Sequence, residues 1–308
     1  MMHVTLAVML VAGTMGMASA DRRPVVVTTD IGVEVDDQWA LAHMALSPEL
    51  ELKGIVTTHA TNLAAPAAET SAGYARELVG KLPARLRPPI VVGSSKALAD
   101  PTKPYPNPGV DFLFEQAKGR TPDHRLTVVI LGAATDVASA LLIDPTWGDR
   151  VTLVAMAFNG YPQGGDSWNV KNDPIAWRTL LDARVPIVVG DAEITRRLLR
   201  MTPDRVHTLL TSLPDPAPLL VNRFDAWIAQ NAKVAQAETG SPIVWPVWDE
   251  VVTAYLLGLA KAESKPRPRL RDDLSFDLDQ PRGTIEWITS IEEGKLWQDL
   301  VAKMKAAQ

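Results

Sequence analysis

The segment VVVTTDIGVEVDD, residues 25–37, sets Asp30, Asp36 and Asp37 directly behind a run of apolar β-formers. Like charges gathered at the end of a buried strand are opposed by mutual repulsion and by desolvation, so the cluster requires a neutralising group. Oxygen-only donors of this kind suit a hard cation, Ca²⁺ or Mg²⁺. A simpler reading treats Asp36 and Asp37 as acidic residues of a first helical turn, favoured by the helix dipole. It leaves Asp30 without a role. Other polar residues stand behind other apolar runs: His59 and Asn62 after ELKGIVTT, Leu131-Gly132 after LTVVI, and Asn159 after VTLVAM. Asp249 precedes VVTAYLLGLA, where it can cap a helix, bind a cation, or do both, and Trp245 and Trp248 stand beside it as core residues or as a stacking surface.

These residues must be held by their strands and helices. Strands are predicted at Val25–Thr29, Glu51–Thr58, Pro89–Val92, Leu126–Leu131, Val151–Met156 and Val185–Val189. Helices are expected from Asp36, over Ala67–Lys81, over Thr135–Leu142 and over Pro174–Ala183, the last with Asp173 as its cap and Pro174 in its first turn. ADPTKPYPNPG reads as a surface loop. Residues 197–260 turn mainly helical, and a strand at Gly283–Ile288 and a helix over Glu292–Lys305 close the chain. With no linker and no repeat, the expectation is one α/β domain over residues 21–308, a mostly parallel open sheet flanked by helices with a Rossmann-like core. Ligands of such sheets bind at the carboxyl ends of the strands, where the polar residues above fall.

The 308 residues carry a net charge of −5 and no cysteine, which excludes disulfides, thiolate metal sites and a cysteine nucleophile. Without basic runs there is no electrostatic footprint for nucleic acid or an anionic membrane. At the N-terminus, an apolar stretch from Val4 to Met17 is followed by Ala18-Ser19-Ala20. It is too short to span a bilayer and reads as a secretory signal cleaved after Ala20, so the protein is expected to be exported, periplasmic or secreted.

TTDIGVEVDD resembles the D-x-D-P-G-x-D-D loop of the nucleoside hydrolase family (inosine-uridine preferring type). Asp30, Gly32 and Asp36-Asp37 match; Thr28 and Ile31 replace the leading Asp and the Pro, and the loop is two residues longer. Further segments follow in the family's order: GIVTTHATN around Asn62, VVILGAATDVASAL around Leu131, SWNVKNDPIA around Asn169, VWDEVVTAYL around Asp249, and RGTIEW. Two departures stand out. Ser167 replaces a Glu, and Trp248 replaces the His that many members place before the last Asp.

The resemblance implies Ca²⁺ held by Asp30, Asp37, Asp249 and the Leu131 carbonyl, with Asp30 also the general base toward water. It implies Asp36, Asn62 and Asn169 as sugar contacts and Trp248 as a surface on which the base stacks. The expected substrate is a nucleoside or another riboside, hydrolysed at its N-glycosidic bond, with no nucleic-acid partner, no membrane partner after signal cleavage, and homo-oligomer formation left open. A metal- and sugar-binding protein without turnover is the alternative. An aspartyl-nucleophile phosphatase fits poorly, because Thr28 occupies the first position of its Asp-x-Asp pair. His59 is beside the expected pocket as a packed residue or a catalyst, and His43, His124 and His207 have no partner evident in the sequence.

Overall fold

A computed structural model describes residues 22–307. The expected signal segment, residues 1–20, lies outside the described residues. In chain order, β1 (Arg23–Thr29), α1 (Asp36–Leu46), β2 (Leu50–Thr57), α2 (Ala67–Lys81), β3 (Ile90–Val92) and α3 (Pro108–Ala117) alternate. They are followed by β4 (Leu126–Ile130), α4 (Thr135–Ile143), β5 (Val151–Met156), α5 (Trp168–Asn172), α6 (Pro174–Asp182) and β6 (Ile187–Gly190). The next part is mainly helical, as expected: α7 (Ala192–Leu198), β7 (Arg200–Met201), α8 (Pro203–Leu210), α9 (Ala217–Thr239), β8 (Trp245–Pro246) and α10 (Glu250–Leu256). The chain ends with β9 (Ala260–Pro266), β10 (Arg269–Leu270), β11 (Phe276–Asp277), β12 (Thr284–Ile291) and α11 (Glu293–Ala306).

Eight strands form one sheet in the order β3-β2-β1-β4-β5-β6-β12-β9. All neighbours are parallel except β9 against β12. The chain winds outward from β1 through β2 and β3, then returns to the other side of β1 with β4. The strand order therefore reverses between β1 and β4, and loops leaving that point part in opposite directions to open a crevice. Thr28 pairs with Ile130 in this register, so Asp30 and Leu131 emerge side by side.

Alternation along β1 sends Val25 and Val27 into one apolar layer with Trp39 and Met44 of α1 and with α9, α10 and α11. Val26 enters the other layer with α3, α4 and α6. Helices thus cover both faces, and the continuous apolar runs of β1 and β4 are what burial on both sides requires.

A helix and an edge strand are among the elements absent from the sequence reading. The proline-rich stretch ends in a helix, because the Asn107 side chain accepts from Gly109 N at 2.8 Å and Val110 N at 3.3 Å while Pro108 fills the first turn. β9 has no apolar run to announce it; AKAESKP is a largely exposed edge strand held by its ladder to β12.

Candidate active site

The loop from β1 into α1 brings Asp30, Asp36 and Asp37 together with Asp249, which stands immediately before α10; all four are buried. Oxygens of Asp36, Asp37 and Asp249 lie within 4.8 Å of one another, a trio that includes Asp36, expected as a sugar contact, and not Asp30, expected as a ligand beside Asp37 and Asp249. Thr29 ties the loop down: its hydroxyl donates to Asp37 Oδ1 and accepts from Ile31 N at 3.1 Å. Gly32 turns the loop at φ +109°, where a Cβ would also strike the Tyr74 ring at 2.2 Å, so only glycine fits.

Among the described residues, no lysine or arginine pairs with these four carboxyls. The groups acting on Asp249 are carboxylates, Asp36, Asp37, Asp30 and Glu34, and together with burial they hold its carboxyl well above the usual range. Burial and then the repulsion of Asp36 push Asp30 up to about 8, and burial pushes Asp36 up to about 7. Asp37 is raised well above its ordinary value by burial, Asp30 and Asp36. Oδ2 of Asp30 and Oδ2 of Asp249 are buried with no hydrogen-bond partner. Asp249 makes no side-chain capping bond to α10, so its carboxyl is directed to the cluster rather than to helix initiation. Paired or ligated charge is the usual condition for such burial, and the donor set here fits a hard divalent cation.

The cluster opens into a cavity of about 640 Å³ that all the sequence-predicted contacts also line: Leu131, Asn62, Asn169 and Trp248 alongside the four aspartates. Asn169 is buried at the start of α5, where its Nδ2 donates to Met156 O at the end of β5, at 3.0 Å. Asn62 is exposed in the turn after β2. His59 is directed elsewhere: its Nε2 lies 3.0 Å from Thr135 Oγ1, which donates to Asp173 at 2.6 Å. Asp173 also caps α6 through Ala176 N at 2.9 Å, the structural role its sequence suggested. His43 of α1 has partners after all, the buried Glu250 and the partly exposed Asp299.

On the far wall, Trp245 and Trp248 stand where the sequence suggested a stacking surface, while Trp227, Arg196 and Glu238 were not evident from it. Trp227 packs on Trp245 at 4.1 Å, and Trp245 meets Trp248 edge-on at 5.5 Å. Trp245 Nε1 donates to Glu34 Oε2 at 3.1 Å, which gives a task to the longer β1–α1 loop. The Arg196 guanidinium lies over the Trp248 ring, 5.4 Å from its centroid, and pairs with Glu238 at 3.1 Å. Trp227, Asn231, Val234 and Glu238 line the cavity from α9 at spacings of four, three and four residues. That periodic strip of aromatic and polar residues is the signal that could have found this wall.

The departures from the family pattern have structural occupations. Thr28 is fully buried and donates to Val129 O at 3.3 Å, bridging β1 and β4. Ser167 Oγ accepts from Phe158 N at 2.8 Å, fixing a residue with φ +64°.

The model of the inosine-uridine preferring nucleoside hydrolase family matches residues 25–298, and the chain belongs to that family. It is accordingly a hydrolase acting on N-glycosyl compounds, the ribonucleoside N-glycosidic bond being the one its family cleaves. Probable uridine nucleosidase 2 of Arabidopsis thaliana is 26% identical over 240 residues, 68% of this chain and 71% of that one. An uncharacterized protein of Schizosaccharomyces pombe is 28% identical over 197 residues, 56% of this chain and 62% of its own length. Among solved structures, the purine-preferring ribonucleoside hydrolase from Gardnerella vaginalis superposes with a TM-score of 0.72 at 18% identity, covering 92% of this chain and 99% of that one. A plant nucleoside hydrolase gives 0.71 at 17% identity with the same coverage. At these identities the structural likeness establishes the fold.

Proposed function

We propose that the protein is an exported, Ca²⁺-dependent nucleoside hydrolase that releases free base and ribose from ribonucleosides. The observation that carries this reading is the set of four buried carboxyls that line one cavity with Leu131 at the switch point of the sheet, two of their oxygens without a hydrogen-bond partner. Asp30, Asp37, Asp249 and the Leu131 carbonyl would hold the ion, which when bound supplies a Lewis acid for a water molecule and for ribose hydroxyls.

The chain's own residues account for the rest. Asp30 accepts the proton of the attacking water at Oδ2, which among the described residues has no hydrogen-bond partner. Asp36, Asn62 and Asn169 take ribose hydroxyls and hold the sugar while C1′ gains oxocarbenium character. The bond from Asn169 Nδ2 to Met156 O fixes that side chain's orientation, so the contact is preorganised. Trp248 offers its face to the departing base in place of an acidic group.

Ribose release from a panel of purine and pyrimidine nucleosides, with and without EGTA and with Ca²⁺ restored, tests this reading. Turnover that stops on chelation and returns with Ca²⁺ supports it. Binding of nucleosides without release of ribose from any of them would identify a catalytically impaired metal- and sugar-binding protein instead.

A further inference from the structure

Trp248 stands where many relatives have a proton donor, yet a departing base still has to carry away an electron pair. We propose that Arg196 supplies that stabilisation and thereby sets the base preference toward 6-oxopurines; this rests on the hydrolase reading above.

The position of Arg196 is built from below. Asp191, just after β6, accepts from Ile194 N at 2.8 Å and from Trp287 Nε1 at 2.6 Å, which anchors the start of α7. The last turn of α7 then presents Arg196 to the cavity. There the guanidinium is fixed from two directions, over the Trp248 ring and by Glu238 of α9. The ion pair reaches Glu238 through one terminal nitrogen, and a guanidinium carries five N–H donors in a fixed fork, so donors remain for a ligand. Trp248 directly precedes Asp249, which places the stacked cation at the aromatic end of the cavity that holds the carboxylates.

A planar base seated beside the guanidinium, on the part of the indole that the cation leaves open, would meet this fork edge-on. Adjacent acceptors, as at O6 and N7 of a 6-oxopurine, receive it with two parallel hydrogen bonds; adenine places a donor at position 6 and loses one of them. As the C1′–N bond breaks, its electron pair passes to the base. The water oxygen bonds C1′, one water proton goes to Asp30, and the base regains a proton through solvent. Arg196 donates hydrogen bonds to the ring atoms over which that charge spreads, the same preorganised charge stabilisation that fixed donors give an oxyanion.

The test measures kcat/KM for inosine, guanosine, adenosine and p-nitrophenyl riboside, whose leaving group departs unaided, in the wild type, Arg196→Gln and Arg196→Lys. The wild type should favour inosine and guanosine over adenosine by about 10-fold or more. Arg196→Gln should lose roughly 10- to 100-fold on inosine and change p-nitrophenyl riboside by less than about 3-fold, with Arg196→Lys between the two. Should Arg196→Gln not fold, Arg196→Lys and the wild-type preference still decide. Equal losses on inosine and p-nitrophenyl riboside, no loss on either, or a wild type that cleaves adenosine as well as inosine would overturn the role of Arg196 and leave the hydrolase reading intact. A wild type inert toward p-nitrophenyl riboside and every nucleoside would overturn that reading itself.

Discussion

Gly132 and Asp30 touch so closely that a Cβ on Gly132 would stand 2.7 Å from Asp30 N and 3.0 Å from its Cγ. The two residues follow neighbouring strands, β4 and β1, and Leu131 N donates to Thr28 O at 2.8 Å between them. The carboxyl proposed as general base is therefore seated against bare backbone.

Gly132→Ala should push Asp30 out of place without opening a cavity. A displacement near 1 Å in a reacting group is enough to cost about 10²-fold, so kcat on a responsive nucleoside is expected to fall by that order. Steady-state kinetics with Ca²⁺ in excess measure this, and an unchanged kcat would show that the contact does not position the base.

Removal of the ion should make stability fall with pH. The raised carboxyls keep protons in the folded chain that the unfolded chain releases from about pH 4 upward. The folded state then binds more protons, and stability drops as pH rises through the folded values, about 7 for Asp36 and about 8 for Asp30. Thermal unfolding with EGTA should show a Tm that declines from pH 5 to pH 8, and the gap to the Ca²⁺-loaded protein should widen over the same range. A constant gap would mean that the ion does not neutralise the cluster.

Trp248→Ala removes the proposed stacking face. Stacking on an aromatic ring contributes roughly 1–3 kcal/mol per base, so KM for nucleosides should rise about 10-fold or more. Cleavage of p-nitrophenyl riboside, assayed in parallel, reports how far the loss concerns the leaving group rather than the ribose.

His43 carries a separate pH signature. Burial alone would lower its pKa, but the Glu250 carboxylate and the hydrogen bond to Asp299 outweigh this and raise it. The stabilisation is fully present below the unfolded value of about 6.5 and is lost as pH rises through the folded one. His43→Gln leaves Glu250 buried without its cation, at a cost of about 3 kcal/mol near pH 6 that shrinks at alkaline pH. Urea unfolding of both proteins at several pH values tests the sign.

The acidic half of the cavity was readable because Asp30, Asp36 and Asp37 follow directly on a strand whose apolar run is unmistakable. Asp30 and Leu131 share a crevice as soon as β1 and β4 are neighbours in a parallel sheet. The aromatic half was not readable in this way. Arg196, Trp227 and Glu238 come from α7 and α9, and their meeting with Trp248 depends on packing between segments far apart in the chain. Asp249 shows the same limit on a smaller scale: its sequence position suits a helix cap, and only the fold reveals a side chain that caps nothing.

The most direct test of the account is the rate of ribose release by the wild type and by Asp30→Asn, each saturated with Ca²⁺, on the nucleoside that the wild type cleaves fastest. Loss of the proton acceptor predicts a fall of about 10³-fold or more, with the folded structure retained. Equal rates for the two proteins would contradict the assignment of the buried aspartate cluster as the catalytic centre.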